Sequence, residues 1–360
     1  MSVHFFDLDR EQLMEFAEEH GFRRFLADQL LRWVYQRGET DLDRMTDLSR
    51  GDRNRLGSLM EFERSEELTR QSASDGTRKL LLGWKGASKA TKGEGSLPLL
   101  TPDSRRETEC VMIPTDERKT ACISSQVGCP VGCRFCASGL GGLEGNLTRG
   151  NIVEQAWRLG RLPGVERISN VVFMGMGEPL ANFGNVVDAI RTLNAPWGLG
   201  IGARRITVST VGLPAAIRRL AGFELPVTLA LSLHAPNDEL RREIIPWANH
   251  ATIKEILEAC SHYFRETGRE ITLEYILLGS FNDQPEHARE LAKVANGLRA
   301  NVNLIRYNEV EGLPFQRPVS ADVHRFQALL REQGVNAHIR ASRGRDIDAA
   351  CGQLRHKERA

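Results

Sequence analysis

The sequence predicts an α/β chain: a partial (β/α)6 barrel, preceded by a small helical domain and a β-hairpin extension. Three observations predict it. From about residue 120 onward, short apolar stretches alternate with amphipathic helical ones, the pattern of a parallel sheet. Residues 9–60 carry apolar side chains at helical spacing instead. Between the two, RKLLLGW (78–84) and ECVMI (109–113) read as two strands.

In chain order, Asp9 caps a first helix with Leu13, Phe16 and Ala17 on one face, ended by Gly21. Phe22, Leu26, Leu30, Trp33 and Val34 continue at helical spacing up to Gly38, and a third helix lies near 49–60. These three are expected to share a core of their own. Arg23, Arg24 and Arg32 could reach a phosphate backbone, although arginines solvated on a packed helix are the plainer reading. KGASKATKGEGSLPLLTPDS (85–104) reads as an exposed, mobile loop between the two strands.

The barrel strands are ACISSQ (121–126), NVVFMG (170–175), RITVST (205–210), VTLALSLHA (227–235), ITLEYILLG (271–279) and VNLIRY (302–307). Helices are expected over 152–159, 186–194, 214–220, 253–267, 285–295 and 321–333, with a late strand NAHIRAS (336–342). The boundaries follow: helical domain 1–75, hairpin extension 76–116, barrel 117–345 and a C-terminal segment 346–360.

Composition excludes several classes. The 360 residues are 41 % hydrophobic and 26 % charged, ordinary for a globular protein and ample for a core. No apolar run is long enough to span a membrane, and the first residues lack a secretory pattern, so a cytoplasmic protein is expected. Net charge is 48 − 47 = +1, which says nothing about nucleic acid. Its distribution says more: residues 76–106 hold seven Lys/Arg against two Asp/Glu, and residues 317–360 hold nine against five. Local basic surface can bind phosphate, though solvated loops explain it as well. Seven cysteines, an odd number without an export signal, argue against a disulfide framework and for metal ligands or catalysts.

In parallel α/β sheets, working residues sit at the carboxyl ends of the strands. The groups that fall there are the cysteine stretch after the first strand, Gly175–Pro179 after the second, Ser209 on the third, Ser232 and His234 on the fourth, and Asn308 after the sixth. Periodicity alone brings these five groups to one rim.

The stretch GCPVGCRFCASG (128–139) holds Cys129, Cys133 and Cys136, spaced four and then three apart. A zinc knuckle completed by His234 or Cys122 is one reading, but structural zinc sites usually come as two short pairs well apart in sequence. Three thiols in one short loop suit a 4Fe-4S cubane better, because each must reach a different corner of one compact body. That leaves the fourth iron open to a small molecule.

Cys-x3-Cys-x2-Cys with Phe135 before the last cysteine resembles the radical S-adenosylmethionine (SAM) superfamily, and GMGEP (175–179) fits it. The resemblance implies a TIM-like barrel, and SAM chelating the open iron. ACISSQVGC (121–129), FMGMGEPL (173–180), SLHAPND (232–238) and DIDAACGQL (346–354) together resemble the RlmN/Cfr family of radical SAM RNA methyltransferases. The likeness covers nearly the whole chain, including DQLLRWVYQRG (28–38).

That resemblance implies an activity, its cofactors and a role for each site residue. The activity is methylation of an sp2 carbon of adenine in RNA, a carbon that direct displacement on SAM cannot reach. Cys129, Cys133 and Cys136 hold one 4Fe-4S cluster. Two SAM are used per turnover: one methylates Cys351, the other yields the radical that activates the methyl group. The methylated Cys351 becomes tethered to the RNA, and Cys122 resolves the tether by forming a disulfide. Glu109 is the proton acceptor. Gly177, Glu178, Ser209, Ser232, Leu233, His234 and Asn308 match SAM-contacting positions. Cys110 and Cys260 match no motif, and Cys260 is expected in the core. The substrate is 23S rRNA, with tRNA beside the anticodon as a second candidate. The electron donor is a flavodoxin or ferredoxin, the helical domain contacts RNA, and a monomer is expected. GEPLAN (177–182) and ETECVMIP (107–114) lean toward the carbon-2 RlmN branch. NLIRYN (303–308), CASGLGGL (136–143) and STVGLP (209–214) lean toward variants including the carbon-8 Cfr branch, whose effect is antibiotic resistance. Carbon 2 is favoured. The 85–104 loop departs from the family by being longer and more basic.

Overall fold

The computed structural model describes residues 2–84 and 106–354. The basic 85–104 stretch lies outside the described residues.

The N-terminal region holds β1 (Val3–His4), α1 (Arg10–Glu19), α2 (Leu26–Leu31), α3 (Arg50–Leu59) and β2 (Met60–Glu61), with β1 and β2 paired in parallel. Asp9 caps α1 in a closed box: its carboxylate accepts from Gln12 N, while the Gln12 side chain accepts from Asp9 N. α2 runs into a π-helical turn over Arg32–Arg37 that stops at left-handed Gly38. These helices do not keep a core to themselves. Phe6 packs on Trp157 of the barrel, the Trp157 indole donates to Val34 O at 2.8 Å, and the apolar side chains form one continuous cluster.

Next come β3 (Ser65–Ser72), β4 (Arg78–Trp84), β5 (Arg106–Pro114) and β6 (Lys119–Cys122), each antiparallel to the one before. A small ribbon, β7 (Gln126–Gly128) with β8 (Leu143–Asn146), frames the cysteine loop. Then α4 (Arg149–Gly160), β9 (Asn170–Phe173), α5 (Phe183–Asn194), β10 (Ile206–Thr210), α6 (Pro214–Ala221) and β11 (Thr228–Ser232) alternate. They are followed by α7 (Asp238–Ile244), α8 (Ile253–Thr267), β12 (Ile271–Leu277), α9 (Pro285–Asn296), β13 (Ala300–Arg306), α10 (Ser320–Glu332) and β14 (Ala337–Arg340).

One ten-stranded sheet runs β3-β4-β5-β6-β9-β10-β11-β12-β13-β14, so neighbours in space are neighbours in sequence. From β6 onward every pairing is parallel. The partial α/β barrel and the hairpin extension are therefore one continuous sheet. Cys260 is fully buried on α8, as expected of a core residue.

Three elements differ from expectation. The single strand read over 121–126 is broken: β6 ends at Cys122 and β7 starts at Gln126. Ser124 explains the break. Its hydroxyl donates to Glu109 O at 2.6 Å, and its amide donates to Gln155 Oε1, diverting the backbone from the ladder. β3 (SEELTRQS) carries too many polar residues to read as a strand, and it is the sheet's edge, where such residues blunt further pairing. Seven-residue α7 is too short for periodicity to reveal; Asn237 caps it through Leu240 N.

Candidate active site at the carboxyl rim

Strand order sets the rim. The loop after β6 carries Cys129, Cys133 and Cys136; all three are half-buried free thiols. The loop packs through Val131 and Phe135 on Ile244 and Ile245, at the end of α7, and Arg134 N donates to Ile244 O at 2.9 Å. Gly132 (φ 68) faces Pro246, and this left-handed residue lets the loop turn back over that helix.

A cavity of about 150 Å³ opens against this loop. Its walls include the three cysteines, Gly177 and Glu178, Ser209, Ser232, His234 and Cys351. Four of the five groups read from separate strand ends thus meet around one space; Asn308, the fifth, does not line it, and neither does Leu233. Asn308 lies in a neighbouring cavity of about 80 Å³. Leu233 is fully buried behind the wall, where its carbonyl accepts from Arg241 Nε at 3.1 Å.

Each polar wall group is pinned. The Ser209 and Ser232 hydroxyls lie 3.2 Å apart. Glu178 ties two strand ends together: Oε2 accepts from Val211 N at 2.8 Å and Oε1 from Leu180 N at 3.0 Å. Burial pushes its carboxyl up to about 7, against the opposing pull of those hydrogen bonds. His234 takes a left-handed backbone (φ 60), held by Asn282 Nδ2 donating to its carbonyl and by its Nδ1 accepting from Ile276 N at 3.1 Å. That acceptor role puts the ring proton on Nε2. Burial, then the Arg241 charge, pull the imidazole down to about 3, so it stays neutral.

Cys351 borders both cavities; on the far side lies Cys122. Both are free thiols. Burial, with Cys351 nearby, pushes the Cys122 thiol up to about 12, against the favourable charge of Arg340. The C-terminal segment is strapped down around Cys351. Ala137 N donates to Gly352 O at 2.8 Å, and the Ser138 hydroxyl donates to Leu354 O. Asn308 Nδ2 donates to Cys351 O at 3.5 Å, and Lys79 Nζ donates to Asp348 O at 3.2 Å.

Glu109 stands apart from both cavity linings. It is buried on β5, with Oε1 2.8 Å from Lys79 Nζ. Lys79 lies opposite Val111, and Val111 lies opposite Cys122, so Lys79, Glu109 and Cys122 share one sheet face, the one the Cys351 strap covers.

Sequence reasoning missed three residues. Arg340 lines both cavities and lies 3.6 Å from Glu274 Oε2; Cys351 beside it holds its guanidinium well above the usual range. It ends β14, so the strand-end rule could have found it. Glu274 is a carboxylate within an otherwise apolar buried strand, which is itself a signal. Arg241 gave no signal, because its short helix went unread.

Three half-buried free thiols lining one cavity fit a cubane cluster whose fourth iron would take a ligand from outside the chain. Among the described residues, no three His, Cys, Asp or Glu side chains gather for a single metal ion.

Comparisons with known proteins agree. Residues 3–62 match the family model described as the ribosomal RNA large subunit methyltransferase N-terminal domain, and residues 123–292 match the radical SAM superfamily. The chain is 43 % identical over 353 residues to a Rhodopirellula baltica protein called "Probable dual-specificity RNA methyltransferase RlmN", covering 98 % of this chain and 90 % of that one. A Gloeobacter violaceus protein of the same name is 45 % identical, covering 96 % and 93 %. The crystal structure of a radical SAM methyltransferase from Sphaerobacter thermophilus superposes with a TM-score of 0.91 at 39 % identity, covering 98 % and 99 %.

Proposed function

The chain belongs to the RlmN family of radical SAM RNA methyltransferases, and we propose that it methylates carbon 2 of an adenine in 23S rRNA and of the adenine beside the anticodon in tRNA. The observation that carries the reading is the place of Cys351, between the cysteine-loop cavity and Cys122. A methyl carrier must face a methyl source on one side and a resolving thiol on the other.

Cys129, Cys133 and Cys136 would hold the 4Fe-4S cluster, which with SAM supplies a 5′-deoxyadenosyl radical. Glu178, Ser209, Ser232 and His234 shape the SAM pocket, with Gly177 and Leu233 supplying backbone and Asn308 steadying Cys351. His234, with its ring proton on Nε2, would be able to donate to a polar group of SAM. Cys351 sulfur would take a methyl group from one SAM; once that methyl group has given a hydrogen atom to the 5′-deoxyadenosyl radical, its carbon would bond to adenine, and the odd electron left on the ring would return to the cluster. Glu109 then accepts the adenine proton. Cys122, as thiolate, would attack Cys351 sulfur: the S–S bond forms as the Cys351 S–C bond breaks, its electron pair stays with the methyl carbon, that carbon takes the proton held by Glu109, and methylated RNA leaves. Cys122 is held protonated by burial, so this step requires it to lose its proton once RNA is bound, and the Arg340 cation favours that loss. Two SAM are consumed per turnover, and a flavodoxin or ferredoxin supplies the electron.

The test is anaerobic. Reconstituted protein, SAM and a reductant are incubated separately with rRNA and tRNA from cells lacking the modification, and the adenosines are resolved by mass and retention. 2-Methyladenosine is expected. 8-Methyladenosine would move the chain to the Cfr branch. SAM cleavage without methylated adenosine would discard RNA as the substrate. Cys122→Ala is expected to accumulate a protein–RNA adduct and Cys351→Ala to form none; equal product from Cys351→Ala sinks the carrier role.

A further inference from the structure

Arg241 is the largest fully buried side chain in the molecule's described part. It makes no ion pair with any carboxylate among the described residues. Nε donates to Leu233 O at 3.1 Å, and Nη2 donates to Val211 O and, at 3.5 Å, to Ser232 O. Nη1 is buried without a partner. Burying a cation this way is costly unless an anion answers it, and the described residues place no carboxylate in contact with it.

The surroundings say where that anion belongs. All three carbonyls lie at the ends of β10 and β11, and Val211 and Ser232 also line the cysteine-loop cavity. α7, which carries Arg241, packs through Ile244 beneath the loop, in the same apolar cluster as Cys129, Cys133 and Cys136. Arg241 itself is absent from the cavity wall. Two groups bear on it electrostatically, Cys133 and Asp238 one turn earlier on α7, and of these only Cys133 lines the cavity.

Resting on the reading that these thiols hold a 4Fe-4S cluster, we propose that Arg241 is that cluster's built-in counter-charge and sets its reduction potential. Each added electron makes the cluster more negative, so a fixed cation behind it favours the reduced form and raises the potential. Arg241 is thus a positioning residue for charge; it touches neither SAM nor RNA. It also explains how a buried arginine is tolerated: the anion comes with the cofactor.

The experiment compares Arg241→Met, which keeps length and loses charge, with Arg241→Lys, which keeps charge and loses the fork of hydrogen bonds. Each full-length protein is reconstituted anaerobically, assayed for iron and sulfide, and titrated with a chemical reductant while the reduced cluster is followed by electron paramagnetic resonance. Both variants are expected to hold the wild-type iron content. Arg241→Lys is expected to titrate with the wild type. Arg241→Met is expected to show at least a tenfold lower ratio of reduced to oxidised cluster at the wild-type midpoint, ~59 mV for one electron. An unchanged midpoint in Arg241→Met overturns the proposal. So does an Arg241→Lys midpoint shifted as far, since the hydrogen bonds would then be the cause. If Arg241→Met loses its iron while Arg241→Lys keeps the cluster at the wild-type midpoint, the charge role stands. If both lose iron, Arg241 only braces the loop and the proposal falls. Wild-type protein that binds no iron would remove the cluster reading instead.

Discussion

The junction between the N-terminal helices and the barrel buries Glu154; the carboxyl rim buries Arg241. Both are fully buried charges, kept in opposite ways. Glu154 is surrounded: His4 Nε2 lies 3.1 Å away, Arg158 Nε 2.9 Å, Ser65 N 3.0 Å and Arg64 N 3.1 Å. Arg241 touches only carbonyls and keeps one bare nitrogen, with Asp238 acting on it from beyond ion-pair distance. A charge satisfied within the chain fastens two parts of the fold. A charge left unsatisfied points to something the chain does not contain. The junction is therefore a structural region, and the rim a functional one.

Substitutions at the two places should give opposite phenotypes. The largest effect is expected at the rim. Cys133→Ala should hold no cluster and form no methylated adenosine, while its urea midpoint stays that of the apo wild type. Iron analysis beside a denaturation curve reads both, and a full iron complement in this variant defeats the ligand assignment. At the junction, Glu154→Ala removes the fully buried anion between His4 and Arg158, leaving His4 only Asp7 and Arg158 only Glu63. A loss of about 3–5 kcal/mol is expected, as for a broken buried pair, with iron retained per folded molecule. A loss below about 1 kcal/mol would mean that the junction is not held by this charge.

Lys79 tests the region between. Its ammonium lies 2.8 Å from Glu109 Oε1 and 3.2 Å from Asp348 O, so it ties the proposed proton acceptor to the Cys351 strap. Lys79→Met should quicken trypsin cleavage after Arg343 and Arg345 and slow methylation several-fold, with iron content unchanged. If cleavage keeps its wild-type rate, the strap is held elsewhere, by Ala137, Ser138 and Asp75.

The same contrast explains what the sequence made legible. The cysteine loop is local: three thiols within one short stretch announce themselves. The barrel was legible from alternation, because strands such as Thr228–Ser232 are apolar on both faces and their helices on one. Glu178, Ser209, Ser232 and His234 could be placed by the strand-end rule. Cys122 and Cys351 lie near opposite ends of the barrel sequence, had no spacing to read, and came only through family resemblance. Arg241 and Lys79 answer to partners on other elements, and no local pattern marks such residues. The shared core escaped for the same reason: helical periodicity tells which face is apolar, not that Trp157 will cover it.

The smallest effect expected is a pH dependence confined to the junction. Burial pulls the His4 imidazole down, but Asp7 and Glu154 outweigh it, and the folded state holds the ring above its ordinary 6.5. Stability from this group is complete below 6.5 and is lost as pH rises through the folded value. Burial pushes Glu154 up, yet His4, Arg158 and Ser65 bring it down to about 2. Its contribution, roughly 3 kcal/mol, is complete above the ordinary 4.5 and lost as pH falls toward 2. The two limits leave a window between about 4.5 and 6.5 in which the junction is tightest. Melting temperature should therefore fall from about pH 6 to about pH 9 by more in the wild type than in His4→Gln, whose neutral amide does not titrate. Parallel profiles would mean that His4 is neutral in the folded protein and that Arg158 alone answers Glu154. Arg241, unlike His4, keeps its charge throughout that range, because burial lowers it only to about 10.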